Sequence, residues 1–377
     1  MKTKHAFLTP ALLAIFTTAA FPADAPPAAL TPDQNAALNK MVQLADAQQA
    51  DLVNLAMVRT QTPEFWNLQL EAFRTGIGVH LLQNPPADQR KKLLDAYAQR
   101  ARQTEAEIIK RTYIDASTAD IRGAHYQVLE ADAFCAGLTP RFGFELPTMP
   151  QPMTDKKLQT ICSDMAETAK DVNAGLKQLS SIRSRTPEFL QTQQQWQWRL
   201  LEARLLAVAD PAERKKAAQD YLDAARALQK DAEDHIAIDA TKASLELAKF
   251  AVARGEFVLA SLDAPPGARE LTDAQRKALE NLLTIVQAHI QGITDLEMIR
   301  PKTPEFMQLK LDAYRRRMEI QLALAKPEDR KPLVEQYQKT LADIAAGMPQ
   351  VNDPSAYSLR MAQFAQAYAD YLKACLK

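Results

Sequence analysis

Arginine and glutamate recur at one fixed spacing three times in this sequence, inside the signature R-x-x-T-P-E-F. The copies are Arg59, Thr62, Pro63, Glu64 and Phe65; Arg183, Thr186, Pro187, Glu188 and Phe189; and Arg300, Thr303, Pro304, Glu305 and Phe306. One chemistry for such a pair is ionic recognition of a peptide or a carboxylate, at three equivalent places. A structural chemistry competes with it at every position. The threonine has the hydroxyl an N-cap needs, and the proline fits the first helical position, where its missing N–H is no loss. The glutamate then lies in the first turn, favoured by the positive end of the helix dipole. The arginine ends the preceding helix near its carbonyl end. The signature therefore reads as a helix–turn–helix joint.

Other residues capable of chemistry do not repeat in this way. His80, His125, His235 and His289 fall at four different offsets from the signatures, and none has a second histidine or a cysteine at ligand spacing. No phosphate loop, dinucleotide-binding glycine pattern, G-x-S-x-G, H-E-x-x-H or C-x-x-C occurs, so no catalytic residue, metal or cofactor is expected. Asp132, Glu256 and Asp370 recur beside aromatics and invite a buried-acid reading, against which a salt bridge to a neighbouring helix is the simpler account. Trp66 and Trp198 read as core or boundary packing, with an exposed partner-anchoring face as the alternative, whereas Trp196 aligns with alanines and reads as core. The run Arg315, Arg316 and Arg317 reads as a solvated face or as a contact for an acidic partner. Cys135 and Cys162 bracket the passage from the first copy to the second. A disulfide between them would stabilise by roughly 3 kcal/mol in the chain-entropy model. Cys375 would then be left over; three small buried thiols are the alternative.

The elements that must carry these residues are helices. Glycine is scarce at 10 of 377 residues, while alanine, leucine, glutamine and charged residues dominate. Positions 18, 14, 7, 4 and 1 before each signature arginine are apolar: Met41, Ala45, Leu52, Leu55 and Val58; Met165, Ala169, Leu176, Leu179 and Ile182; Leu282, Val286, Ile293, Leu296 and Ile299. Those steps predict one buried stripe on a helix roughly 40 Å long. A second helix starts at the threonine cap and stops at Asn84-Pro85-Pro86, Asp210-Pro211 or Lys326-Pro327. A third opens with acidic residues and carries Tyr97, Tyr221 or Tyr337; a fourth follows Asp115, Asp239 or Asp353 as its expected N-cap.

The expected fold is all-α, with three tandem homologous units of about four antiparallel helices each, as separate bundles or one superhelix. Residues 26–137, 153–262 and 271–377 form the units, and 138–152 and 263–270 the linkers. Residues 1–25 read as a signal peptide: Lys2 and Lys4, an apolar run over Ala6 to Ala20, then small residues. The expected location is therefore the bacterial periplasm or beyond. Lysine plus arginine equals aspartate plus glutamate at 46 each, so no net field favours nucleic acid, and no later run is long enough to insert stably in a membrane.

Leu30-Thr31-Pro32-Asp33-Gln34 and Leu271-Thr272-Asp273-Ala274-Gln275 resemble the L-T-x-x-Q motif of the small periplasmic Spy/CpxP family. That resemblance implies a helical, ATP-independent chaperone. The second unit departs from it with Met153-Thr154-Asp155-Lys156-Lys157, and the same letters form a Thr…Gln capping box. Repetition without a repeated polar constellation points to binding, not catalysis: a protein-binding or scaffold module with a protein partner or client. A chaperone is the first alternative. A hydrolase or a lipid or small-ligand binder with its site between units is the second.

Overall fold

The structure is a computed structural model that describes residues 30–59, 62–111, 116–139, 149–236, 238–264, 270–300, 303–348 and 356–376. The expected signal peptide, the caps Asp115 and Asp353, and the linker side chains of Phe142, Phe144 and Leu146 lie outside the described residues. Among the described residues the fold is all-α, with twelve helices and no strand. They are α1 (Pro32–Val58), α2 (Pro63–Leu82), α3 (Ala87–Lys110), α4 (Thr118–Cys135), α5 (Lys156–Ser180), α6 (Pro187–Ala207), α7 (Pro211–Asp234), α8 (Lys242–Leu262), α9 (Asp273–Glu297), α10 (Pro304–Leu324), α11 (Pro327–Gly347) and α12 (Ala356–Cys375). None of them is long and apolar enough to cross a membrane.

The helix boundaries follow local chemistry. Thr62, Thr186 and Thr303 each accept a bond from the backbone N–H of the signature phenylalanine, at 3.2, 3.3 and 3.3 Å. Each is followed by proline in the first turn of α2, α6 or α10. Thr31 and Thr272 form full capping boxes with Gln34 and Gln275, so the L-T-x-x-Q letters serve as helix starts in both places. The fourth-helix cap is corrected at two positions. Thr241, in a reciprocal bond with Ser244, caps α8, because Asp239 is engaged by Arg185. Ser117 does the same for α4.

Consecutive helices pack antiparallel, and the packing runs from one end of the chain to the other and back. The fourth helix of each stretch lies against the first helix of the next: α4 on α5, α8 on α9, and α12 back on α1. The chain thereby closes on itself. At the centre α2, α6 and α10 all touch one another. The apolar cores follow these contacts. One joins α1 and α2 to α10, α11 and α12; a second joins α8 to α9 and α10; a third joins α4 to α5 and α6. Independent four-helix bundles would each enclose a core of their own, whereas the largest cores here cross the linkers.

Two glycines fix how closely the junction helices approach. A Cβ on Gly292 would lie 2.9 Å from the backbone nitrogen of Ala243, and one on Gly175 3.1 Å from the Cβ of Ala119. The equivalent place in the first copy is Asp51, which instead accepts a bond from Arg360 of α12 at 2.6 Å. The methyl-sized gap is needed because a rigid backbone, not a movable side chain, stands opposite. Gly292→Val is expected to destabilise by on the order of 2 kcal/mol by overpacking. Gly347→Ala, with nothing near its Cβ, should leave stability unchanged or raise it by about 0.5 kcal/mol. Urea denaturation of the two variants checks the contrast.

Candidate binding face

Antiparallel packing places the ends of α1, α5 and α9 and the starts of α2, α6 and α10 at one end of the molecule, with the ends of α3 and α7 and the starts of α4 and α8. Cross-links tie them together there. Ser244, at the start of α8, donates to the carbonyl of Arg185 at 2.8 Å, and Arg185 pairs with Asp231 at 3.1 Å and Asp239 at 3.5 Å. Both described ends of the chain lie at the opposite end, where Gln34 of α1 approaches the Cys375 sulfur of α12 at 3.6 Å.

The signature residues meet in a cycle. Arg183 pairs with Glu64 at 2.9 Å, Arg300 with Glu188 at 3.1 Å, and Arg59 with Glu305 at 3.0 Å. No arginine takes the glutamate of its own copy; each reaches the glutamate of the copy before it, and the first reaches the last. Each guanidinium also lies over its own signature phenylalanine, 5.1, 4.9 and 5.9 Å from the ring centre. The glutamates are buried in the first turns of α2, α6 and α10, where the helix dipole adds to the arginine's attraction. The charges an outside carboxylate would need are thus already engaged with one another.

Around this cycle the surface is apolar. The stripe of each first helix is buried at Met41, Met165 and Leu282 and still buried at Leu52, Leu176 and Ile293. One residue before the arginine it fails as a core position in all three copies: Val58, Ile182 and Ile299 are each 80% exposed. Met57 and Met298 beside them are 78% and 84% exposed. Ile236 and Ile238, in the joint before α8, and Val53 and Ile109 are also exposed. Among the described residues, every exposed large apolar side chain lies at this end. The expected core stripe is corrected at its last position. The helix ends there, and no neighbour extends past the cap to cover it.

The interior holds a second polar arrangement, between α2, α4 and α6. Arg74 pairs with Glu130 at 3.3 Å and Glu202 at 3.3 Å, and Arg199 donates to Glu71. Tyr97 reaches Glu130 at 3.5 Å. Burial raises the Glu130 carboxyl above its ordinary range, opposed by Arg74 and Arg199. Elsewhere Gln191 donates to Asp312 at 2.8 Å and Tyr368 to Glu319 at 2.8 Å, so polar contacts also tie α6 to α10 and α10 to α12. The cavity between Trp66, Asp120, Gly123 and Trp196 has about 10 Å³, room for one water. A wider open cleft of about 370 Å³ lies between Tyr314, Asp343 and Met348, where Lys310 and Glu297 are bonded to each other at 2.6 Å.

The remaining sequence candidates fall as follows. Trp66 and Trp198 are buried, which corrects the exposed-anchor reading. Trp66 packs with Ile108 and Ala124, and Trp198 meets Tyr221 edge-on at 5.8 Å under the guanidinium of Arg254. Arg315, Arg316 and Arg317 are not a solvated face either: Arg316 is buried over Phe250, Arg315 bonds Asp312 at 3.0 Å, and Arg317 lies over Tyr314. The reason is common to both. Helices α2, α6 and α10 have neighbours on every side, so they present no outer face. Cys135 and Cys162 are unbonded, the first exposed and the second facing the core. Burial pushes the Cys162 thiol up to about 11. Asp132 is held by Arg102, Asp370 by Gln338 at 2.7 Å, and Glu256 is exposed; the buried acids of α4 are Asp120, in its capping box, and Glu130, two residues before Asp132. His80 and His125 meet Asp46 and Glu105 at 3.0 and 2.7 Å. Among the described residues no group of three or more ligand-type side chains could hold a metal ion. Sequence reasoning missed Arg74, Glu130, Arg199 and Glu202. Their one signal is that charged residues interrupt the innermost helices, where apolar ones are expected.

Two measurements test this account. In a double-mutant cycle, Arg183→Ala and Glu64→Ala should show a coupling of about 1–2 kcal/mol, more than an exposed pair gives. His289 is buried with Nδ1 2.9 Å from the carbonyl of Ala243, and burial, aided by Arg316, pulls its pKa down to about 3. Below the ordinary histidine range the unfolded chain therefore takes up a proton that the folded chain refuses. Its contribution is present above about pH 6.5 and is lost as pH falls toward 3, on the order of 4 kcal/mol in all. The difference in pH dependence between the native chain and His289→Gln isolates it.

Compared with known protein families, curated proteins and solved structures, the chain matches none of them.

Proposed function

We propose that the protein is a non-enzymatic helical-repeat binding module. In this reading its three homologous four-helix units close into a ring, and a protein partner docks on the end that carries the signature joints. The observation behind it is the exposure of Val58, Ile182 and Ile299, with Met57 and Met298 alongside. Monomeric proteins seldom leave apolar side chains grouped at one end without a use for them. Methionine and arginine are also residues that protein interfaces favour, and here both stand at the joints. The Arg–Glu cycle serves as a rigid, charge-neutral centre. The units remain sequence repeats whose cores are shared across their boundaries. Export to the periplasm, read from residues 1–25, belongs to the same proposal.

The methionines favour one second reading within binding. A flexible, Met-bearing apolar rim suits an ATP-independent holder of unfolded clients. The hydrolase alternative has less support, since the charges of the interior cluster are spent on one another, Arg74 on Glu130 and Glu202.

The test is a triple variant, Val58→Ser, Ile182→Ser and Ile299→Ser, used as bait against an envelope extract beside the native chain. Unchanged thermal stability with loss of the captured partner is the expected outcome. Equal capture by both baits would remove the proposal. Suppression of a model client's aggregation, lost in the triple variant, would select the chaperone form.

A further inference from the structure

We infer that the occupant of this end face is a second copy of the chain, docked face to face. The inference rests on the binding-face reading above and names its partner. Four observations carry it.

The first is area. Without counting Ile109, the exposed side chains of Val53, Met57, Val58, Ile182, Ile236, Ile238, Met298 and Ile299 together present on the order of 1,000 Å². A standard stable interface covers roughly 800 Å² on each partner. The second is charge. The arginines at the centre are neutralised by Glu64, Glu188 and Glu305, and the whole chain carries a formal net charge of +0. Two copies therefore meet without the repulsion that keeps strongly charged proteins apart.

The third is symmetry. An apolar residue precedes the arginine at the same offset in all three joints, and the arginines form one closed cycle. A two-fold axis lying in the plane of such a face brings all three apolar positions of one copy onto those of the other at once. That self-complementarity is what an isologous interface requires. The fourth is placement. Both described chain ends lie at the opposite end, so neither obstructs the approach.

The experiment is sedimentation velocity on the full chain from 1 to 100 µM, beside a variant carrying Val58→Asp, Ile182→Asp and Ile299→Asp. A control, Lys92→Glu, alters the far end. The three substituted positions are exposed, and circular dichroism verifies that the variant keeps its helices. The expected result is a native dimer with the control dimeric and the triple aspartate variant monomeric at every concentration. Added salt should not dissociate the dimer, since its contact is apolar. A native chain that stays monomeric at 100 µM overturns the inference, as does a triple variant that still dimerises. Flotation of a monomeric native chain with phosphatidylcholine vesicles would overturn it in favour of a lipid surface. The envelope capture described above separates the two levels. Monomeric native protein whose partner is lost in the variant sinks only the self-association. Monomeric native protein with unaltered capture and no flotation sinks the binding face as well.

Discussion

Three helix N-termini converge in this molecule, and that is an electrostatic problem before it is an architecture. Helices α2, α6 and α10 touch one another at the centre and all begin at the same end. Each contributes about half a positive elementary charge at that end, so three together repel. Glu64, Glu188 and Glu305 stand in the first turns and cancel the dipoles, but three buried carboxylates would then repel in their turn. The arginine of the following joint answers this, and the cycle is complete only because Arg59 reaches Glu305 from the far end of the chain. A linear array of the same joints would leave Arg59 and Glu305 without each other. The ion-pair cycle and the contact of α12 with α1 are two aspects of one closure.

Closure also demands that three junctions of different composition take the same shape. They do so by exchanging volume. Where α4 offers Gly123, α6 fills the space with Trp196, whose ring would lie 3.2 Å from a Cβ there. In the next junction Leu247 of α8 shares a core with Ala313 of α10, and in the last Met361 of α12 shares one with Ala72 of α2. A large residue on one helix answers a small one on the other, which keeps the packing density of each junction similar. The same logic explains why Asp51 replaces a glycine. Its counterpart across the junction is Tyr357 instead of Ala119 or Ala243, and Asp51 accepts a bond from Arg360 there.

Much of this was legible beforehand because it repeats. Caps, prolines, first-turn acids, the buried tyrosines Tyr97, Tyr221 and Tyr337, and the break before α8 were all found by comparing the chain with itself. Part of what was missed repeats in only two copies, since Arg199 and Glu202 of α6 match Arg316 and Glu319 of α10, and part does not repeat at all. Matching positions of the fourth helices carry Glu130, Arg254 and Tyr368, and these meet Arg74, Trp198 and Glu319 on the central helices. Internal comparison discards such positions as noise, although burial makes them the least replaceable polar groups in the molecule. The exposed-anchor alternative for Trp66 and Trp198 and the solvated face of the arginine run fail for a related reason. Periodicity identifies one apolar stripe and assigns the rest to solvent, which fails for helices enclosed on all sides.

One repeated feature was read correctly as apolar and wrongly as core, and the error is informative. The residue before each signature arginine stands at or just past the end of its helix: Val58 is the last residue of α1, while Ile182 and Ile299 follow the caps Ser181 and Met298. A polar residue there would disturb nothing: the arginine's ion pair and its stacking on phenylalanine use other atoms, and the threonine cap is four residues further on. Folding therefore places no demand on Val58, Ile182 or Ile299, yet each is a branched aliphatic side chain turned to water. A single instance is ordinary surface variation. Three at one offset, two with methionine beside them, all at one end and none elsewhere among the described residues, are not what a folding requirement produces. Where a locally consistent sequence departs from folding logic at equivalent points, the requirement comes from outside the chain's own core, and an apolar contact at this end supplies it.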